Sequence, residues 1–509
     1  MIPVELSMSE LVVGIDSGTQ SVRVIIYDLQ GRCVAKGTAR HAPLSIPSGG
    51  SAKQEPSDLW ESLCRASRQA VSALPAGVRL ASASLASQRS VLVAVDQSGA
   101  PLRPAFSWLD NRRAEEIPPL PEMDPVQREL QVRSKANWML VHEPELYQKT
   151  WKFLSASGWL TYNLCSEFRD SIGGLGGIFP LDVKQMAWSG DPVLYSLLGM
   201  PLDKLPVIYP PGERIGYISR AAASQTGLPQ GLLLFAGAGD KSCEMLGAGA
   251  LSQFQGYISY GTLAALEAVT SRPIFSPENN YWTIPGALPG TWNLEYGIEY
   301  GYLLVSWFCE QLVSQKITEI NGQPLEEWLG AQALAVPPGS GGLLLSPLGQ
   351  SGGLAEIKTA LLELSQRIPP TRVFRMILEG IAYRMRAGLE VLEQATGVKI
   401  REILIGGGGA QGDLPVQITA DILGLPVYRP QTVQTCALGA AVLAAVGAGL
   451  YPSCTEAVTQ MCSQKEQFLP DPDRQKVYDT IYTTAFQMTT QQEGKIITEF
   501  SSYPANKKG

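Results

Sequence analysis

The sequence predicts an α/β protein of two layered domains, and three observations carry that expectation. The first is size: 509 residues exceed what one hydrophobic core serves. The second is the opening, where a β-branched apolar run at residues 11–15 enters a polar glycine turn at 16–20 and returns as a β-type run at 22–27. The third is recurrence. Past residue 251 the same grammar returns as a strand and glycine turn at 257–262, a helix at 373–394, a strand at 402–405 and a helix after Gly409. The similarity is one of pattern, with no letter-by-letter repeat. Strands alternating with helices favour layered α/β architecture over separate all-α or all-β bodies.

Between these landmarks, residues 59–74 carry apolar positions at helical spacing, and 80–87 and 91–96 read as strands. Residues 143–164 have Leu146, Trp151, Leu154 and Trp159 at spacings that predict a helix, followed by a glycine-rich stretch at 171–177. The passage YPPGERIG leads to a strand at 232–236 and the glycine-punctuated helix GDKSCEMLGAGA. The domain boundary is expected just after it, giving domains 1–251 and 252–509. Beyond Asp473 the chain reads as helical, then polar, ending in YPANKKG.

Composition narrows the function classes. A net charge of −7 offers no basic stripe to neutralise a run of phosphates, which argues against nucleic acid as partner. Eight cysteines without a C-x-x-C pair fit buried, reduced thiols in a reducing compartment. The two histidines, His41 and His142, have no carboxylate or cysteine at metal-ligand spacing, so a structural zinc site and a Ser-His-Asp triad are both disfavoured. The N-terminus lacks the basic start and apolar run of a secretory signal, and no window is apolar enough for a membrane span. The expectation is a soluble, cytoplasmic protein.

Four stretches can carry chemistry. In GIDSGTQSVR, residues 14–23, a buried strand delivers Asp16 into a turn of glycine and hydroxyl residues. Such a turn can aim N–H groups at a phosphate while Asp16 holds magnesium through water, although an ordinary hairpin turn uses the same residue types. In GAGDKSCEMLGAG, Asp240 follows a strand and begins a helix, where a carboxylate can take a proton from a hydroxyl or merely cap the helix. ISYGTLAALEA places Gly261 and Thr262 in another turn able to grip a phosphate. Finally, ILIGGGGAQGD sets four glycines between a strand and a helix, a place for a nucleotide to lie against backbone. It lacks the G-x-G-x-x-G of a dinucleotide fold.

Taken together and in order, these motifs resemble the FGGY carbohydrate kinases. Similar to that family are GIDSGTQSVR, KQEPSDLW, SLASQRSVLVAVDQSGAPLRPAFSWLDNR, AGAGDKSCEMLGAGA, YGT, LEGIAYRMR, the glycine-run segment with ITADILGLPV, and ALGAAVLAA. The resemblance implies two ribonuclease H-like domains of the actin-like ATPase group, with Asp16 and Asp240 facing each other across an interdomain cleft. It implies ATP and Mg2+ as cofactors and a small sugar (ketose) or polyol as substrate. By position, Asp240 would be the general base and Asp16 the magnesium ligand. Gly18, Thr19, Gln20, Gly261 and Thr262 would hold phosphates, and Gly406, Gly407, Gly408 and Gly409 would shelter the nucleotide. Gln88, Arg89, Trp108, Asp110 and Lys241 would join Asp240 on the substrate side, with Arg112 as a support. A homodimer is left open.

The chain also departs from the family. Lys241 stands where a neutral residue is usual, which puts a cation beside the expected acceptor pocket. The segment 346–365 replaces a tyrosine- and G-E-R-containing stretch, and Gln411 and Gln434 are unusual at their positions. Two other functions compete: a sugar-binding sensor without turnover, and an actin-like nucleotide-dependent assembly protein.

Overall fold

The computed structural model describes residues 10–44, 50–261, 263–298, 301–314, 325–345, 354–462, 464–487 and 497–499. Thr262, residues 346–353 of the divergent segment and the YPANKKG tail lie outside them. The opening hairpin forms as its apolar alternation predicts, with β1 (Glu10–Ser17) pairing antiparallel to β2 (Ser21–Tyr27), and β2 to β3 (Cys33–Arg40). Next come β4 (Arg79–Ser87), β5 (Arg214–Tyr217) and β6 (Leu233–Gly239), and the first sheet has the order β5-β6-β4-β1-β2-β3. β4 runs parallel to both β1 and β6.

The second sheet comprises β7 (Gln255–Tyr260), β8 (Ala264–Thr270), β9 (Trp282–Pro285), β10 (Trp292–Ile298), β11 (Glu402–Gly406), β12 (Val427–Pro430) and β13 (Gln464–Phe468). Its order is β9-β10-β8-β7-β11-β12-β13. Strip one edge strand from the first sheet and two from the second, and the same core remains in each. An antiparallel trio is followed by two strands parallel to its first member. The expected pair of ribonuclease H-like sheets is therefore present, without sequence identity between them.

The helices include α1 (Pro56–Ser72), α2 (Asp240–Ala248), α3 (Pro370–Thr396), α4 (Asp413–Leu423) and α5 (Thr435–Gly447). α5 lies late in the chain yet packs on the first sheet: a Cβ on Gly14 would stand 1.9 Å from the Ala437 carbonyl oxygen, and Ser82 Oγ donates to the Ala444 carbonyl at 2.8 Å. α2 and α5 cross backbone to backbone, because Gly247 and Gly439 each lack the Cβ that would strike the other helix within 2.0 Å. Close approach of this kind requires glycine and excludes even alanine.

Residues 143–164 are not the single helix their spacing predicted. Helices Pro144–Lys149 and Ala156–Cys165 are separated by the strand Lys152–Leu154, which pairs with Val93–Val95. Ser155 ends the strand and caps the second helix by accepting from Gly158 N, and it also donates to the buried Asp170 at 2.6 Å. Pairing and capping override a periodicity that short apolar runs cannot decide alone. Among the described residues no helix is long and apolar enough to cross a membrane.

Candidate active site

Parallel strands end together, and this brings the first set of candidate residues to one edge. In register, Asp16 stands beside Ala86, Ser17 beside Ser87, and Ser87 beside Gly239. Asp16 and Asp240 thus leave the same sheet, separated by the single strand β4 and so by roughly 10 Å of backbone. The expected arrangement, one carboxylate facing the other across a gap between domains, is corrected here: both issue from the first sheet because β4 runs parallel to β1 and β6. Two buried thiols mark their shared surroundings. Burial, and then the charges of Asp16 and Asp240, hold Cys243 and Cys436 well above the usual thiol range.

Asp16 is buried, and its Oδ2 accepts from Arg23 Nη1 at 3.0 Å. Burial raises its pKa; Arg23 opposes this, and the nearby Glu244 adds to it. In the adjoining turn Thr19 Oγ1 donates to Gln88 Oε1 and accepts from Trp108 Nε1, each at 3.0 Å. Gln88 Nε2 in turn donates to Gln54 Oε1 at 2.9 Å, and Gln54 Nε2 reaches the Thr19 carbonyl at 3.3 Å. Gly18 is half-buried and Gln20 exposed. The turn is therefore held from behind by side chains from three distant segments.

Asp240 is the first residue of α2, after Gly239, and its Oδ1 accepts from Lys241 N at 2.9 Å. It is not the residue that caps the helix. Arg89 Nε lies 3.8 Å from the same oxygen, and Arg89 Nη2 donates to Glu295 Oε2 on β10 at 2.5 Å, so this guanidinium joins the two sheets. Burial works against the Arg89 charge, but Glu295 and then Asp240 outweigh it and raise its pKa. Behind this pair Glu267, across from Glu295 in the β8–β10 register, is fully buried. It accepts from Asn293 Nδ2 at 2.8 Å, while its Oε1 has no hydrogen-bond partner among the described residues. Burial, and then the Glu295 charge, push its pKa up, favouring the protonated acid.

Lys241 points elsewhere than the sequence suggested. Its Nζ bonds Glu244 Oε1 and Oε2 at 3.0 and 3.1 Å and Ser259 Oγ at 2.8 Å, at the end of β7. A Cβ on Gly261 would lie 3.6 Å from that ammonium. The cation sits beside Gly261, drawn there by Glu244, and also feels the charge of Asp240.

The second sheet presents its own strand ends in the same neighbourhood, with Ser259 beside Gly406 in register. Of the four glycines in the run, three meet the protein itself. A Cβ on Gly406 would strike the Tyr257 hydroxyl, on Gly407 the Tyr260 backbone, and on Gly409 the Tyr302 ring, whereas one on Gly408 would meet nothing within 4 Å. Gly407 also has φ +87°, a conformation that side chains avoid. The open face of this loop is Gly408.

Two residues expected on the substrate side have their polar atoms engaged by protein. Gln88 is spent on Thr19 and Gln54. Asp110 accepts from Ala52 N and from Arg112 N, Nε and Nη2, and Lys135 Nζ stands 3.5 Å away. Burial opposes its charge, but the Arg112 and Ala52 donors win and lower its pKa. Sequence inspection missed Gln54, Glu244, Glu267, Asn293 and Glu295. A signal existed for Glu267, a carboxylate inside an otherwise apolar strand, since charge rarely enters such a strand without purpose.

The chemistry of the donor set can be tested against a nucleotide and its cation. Among the described residues no three of His, Cys, Asp and Glu converge as a metal cage. Magnesium does not need one: it keeps several waters and uses one or two carboxylates plus phosphate oxygens. The buried Asp16, whose charge is disfavoured without a cation, fits that mode. Gly408 fits backbone contact with a nucleotide.

Two ribonuclease H-like sheets with their strand ends converging define the actin-like ATPase fold. Residues 11–247 match the model of the N-terminal domain of the FGGY family of carbohydrate kinases, and residues 256–448 match that of its C-terminal domain. An uncharacterised sugar kinase of Escherichia coli K12, YgcE, is 31% identical over 495 residues, covering 96% of this chain and 94% of that protein. The autoinducer-2 kinase of Salmonella typhimurium is 28% identical, covering 91% of each. A gluconate kinase from Lactobacillus acidophilus superposes with a TM-score of 0.79 at 18% identity, over 96% of this chain and 99% of its own. Plasmodium falciparum glycerol kinase with ADP gives 0.76 at 17% identity, over 94% and 98%. The chain belongs to the FGGY family of carbohydrate kinases and is a phosphotransferase, for which the family implies ATP as donor and a small sugar-like molecule as acceptor.

Proposed function

We propose that this protein transfers the terminal phosphoryl group of ATP to a hydroxyl of a small ketose or polyol, with Asp240 as the general base. The observation that carries this reading is the placement of Asp240: it opens a helix at the strand edge that also bears Asp16, and Arg89 alone among charged side chains ion-pairs with it in the described residues. A carboxylate so placed can accept the acceptor proton as the new P–O bond forms. Arg89 and the Trp108 ring form the acceptor side, with Gln88 bracing Thr19, which Trp108 Nε1 also reaches, and Asp110 bracing Arg112. Gly18, Thr19, Gln20, Gly261 and Thr262 face the phosphates, Asp16 holds magnesium, and Gly406 to Gly409 border the nucleotide. Magnesium, when bound, would neutralise phosphate charge during transfer. We place the division of the chain near residue 251, between α2 and β7, so that the base and Asp16 belong to one domain and the glycine run to the other.

The acceptor panel takes gluconate, glycerol and autoinducer-2 from the similar proteins and adds pentuloses, hexuloses and polyols, each assayed for ADP formation. One or more should stimulate ADP release, and Asp240→Asn should cut that rate by about 10²- to 10⁴-fold. ATP hydrolysis indifferent to every acceptor and to the substitution would favour the assembly reading. Thermal stabilisation by a sugar without ADP would favour the sensor.

A further inference from the structure

We propose that Lys241 is a catalytic cation for the phosphoryl group in flight, and not a contact for the acceptor; this rests on the kinase reading above. The surroundings of the proposed base are rich in acid: Asp16, Asp240, Glu244 and Glu295 cluster there, while Arg23 is drawn to Asp16 and Arg89 to Glu295 and Asp240. A triphosphate entering such surroundings needs positive charge directed at its terminal group.

Lys241 supplies it with a built mount. Its neighbour in the chain is the proposed base, so its backbone begins at the reacting centre, and Glu244 and Ser259 then draw its ammonium beneath the turn at Gly261. Ser259 Oγ also donates to Glu244 Oε2 at 2.6 Å, and Tyr257 OH reaches the same oxygen at 3.3 Å. The anchoring carboxylate is thus itself held by two hydroxyls. The ammonium bonds Glu244 and Ser259 at 2.8 to 3.1 Å, and the backbone of Gly261 passes so near that a Cβ there would lie 3.6 Å from it. Burial opposes the charge, but Glu244 and then Asp240 overcome it, so the side chain stays an ammonium throughout and neither gives nor takes a proton.

The step balances without it. The bond from the terminal phosphorus to the bridging oxygen of ADP breaks, a bond to the acceptor oxygen forms, the acceptor proton passes to Asp240, and ADP leaves. Lys241 stabilises the charge on the phosphoryl oxygens between the two bonds.

The test compares binding of ADP with that of the β,γ-imido triphosphate analogue, both with magnesium, by calorimetry. In Lys241→Met the triphosphate should bind at least tenfold more weakly than in wild type while ADP changes less than twofold, and Lys241→Arg should recover part of the loss. Should Lys241→Met lose its fold by stranding Glu244, the double variant Lys241→Met/Glu244→Gln removes both charges and answers the same question. Equal weakening of both nucleotides, or an effect confined to acceptor affinity, overturns the inference and leaves the kinase reading standing. Wild-type protein that binds neither nucleotide defeats the kinase reading and this inference with it.

Discussion

The two sheets share a strand order but meet the crevice with different chemistry. The first sends side chains to its edge: Asp16, Thr19, Arg89 and Asp240. The second sends mainly backbone, through Gly261 and the run from Gly406; it keeps Glu267 inside the sheet and extends Glu295 to Arg89. One strand pattern can therefore serve two tasks. An edge of side chains can move a proton and distinguish an acceptor, whereas an edge of bare backbone can lie close to a nucleotide of any base. The difference teaches that the shared topology sets where chemistry can occur, and residue choice at the strand ends sets which chemistry.

The largest expected effect tests how the halves are joined. Gly14→Ala and Gly439→Ala each force a Cβ to within about 2 Å of a carbonyl oxygen on the facing element. We expect a loss of about 3 kcal/mol or more in urea unfolding, and unfolding of the two halves in separate steps. A single transition with unchanged midpoint would break the comparison by showing that α5 is not what ties the halves together.

Next, the glycine run should divide by position. Gly409→Ala pushes against the Tyr302 ring and should cost about 1–3 kcal/mol, as overpacking does. Gly408→Ala should leave stability within about 0.5 kcal/mol, the usual range for an open position, while weakening ADP binding. Equal stability losses at both positions would remove the distinction between packed and open glycines.

A smaller effect concerns the charges kept inside the second sheet. Glu267 has its pKa raised by burial and by Glu295, so the folded protein binds a proton that the unfolded chain releases. Stability should then be fullest near and below the ordinary carboxylic range and decline as pH rises through neutral, by at most about 1.4 kcal/mol per pH unit. Glu267→Gln should flatten that decline in thermal unfolding followed from pH 5 to pH 8. A variant that keeps the wild-type slope would place the titration elsewhere.

The smallest effect is at the first turn. Thr19→Val removes the hydroxyl between Gln88 and Trp108 and should cost on the order of 1 kcal/mol, while raising the concentration of ATP needed for half-maximal rate. No change in either would mean that the turn is held by Gln54 alone.

How much of this was legible in residue order varies by element. The opening hairpin, α1, β4, α3, β11 and the glycine run stood where periodicity and turn residues put them, because each is decided by neighbours a few positions away. Residues 143–164 misled, since the same apolar spacing suits a helix or a strand flanked by short helices, and pairing with Val93–Val95 decided between them. Among the candidate site residues, Asp16 and Asp240 could be picked out beforehand from a turn and a helix start, whereas Arg89 came only from the family resemblance. The direction of the Lys241 side chain was only half foreseeable, because Glu244 is its i,i+3 neighbour on α2 whereas Ser259 reaches it only once α2 lies against β7.

Residue order alone therefore determined the class of fold, the family and the segments that bear chemistry, since backbone propensity and short motifs act over distances the chain spans locally. Tertiary packing decided that both carboxylates share one sheet edge, that α5 crosses back onto the first sheet, and that three glycines of the run serve the protein's own tyrosines. Those outcomes depend on contacts between groups hundreds of residues apart, and hydrogen bonds, burial and charge act through space, blind to sequence separation.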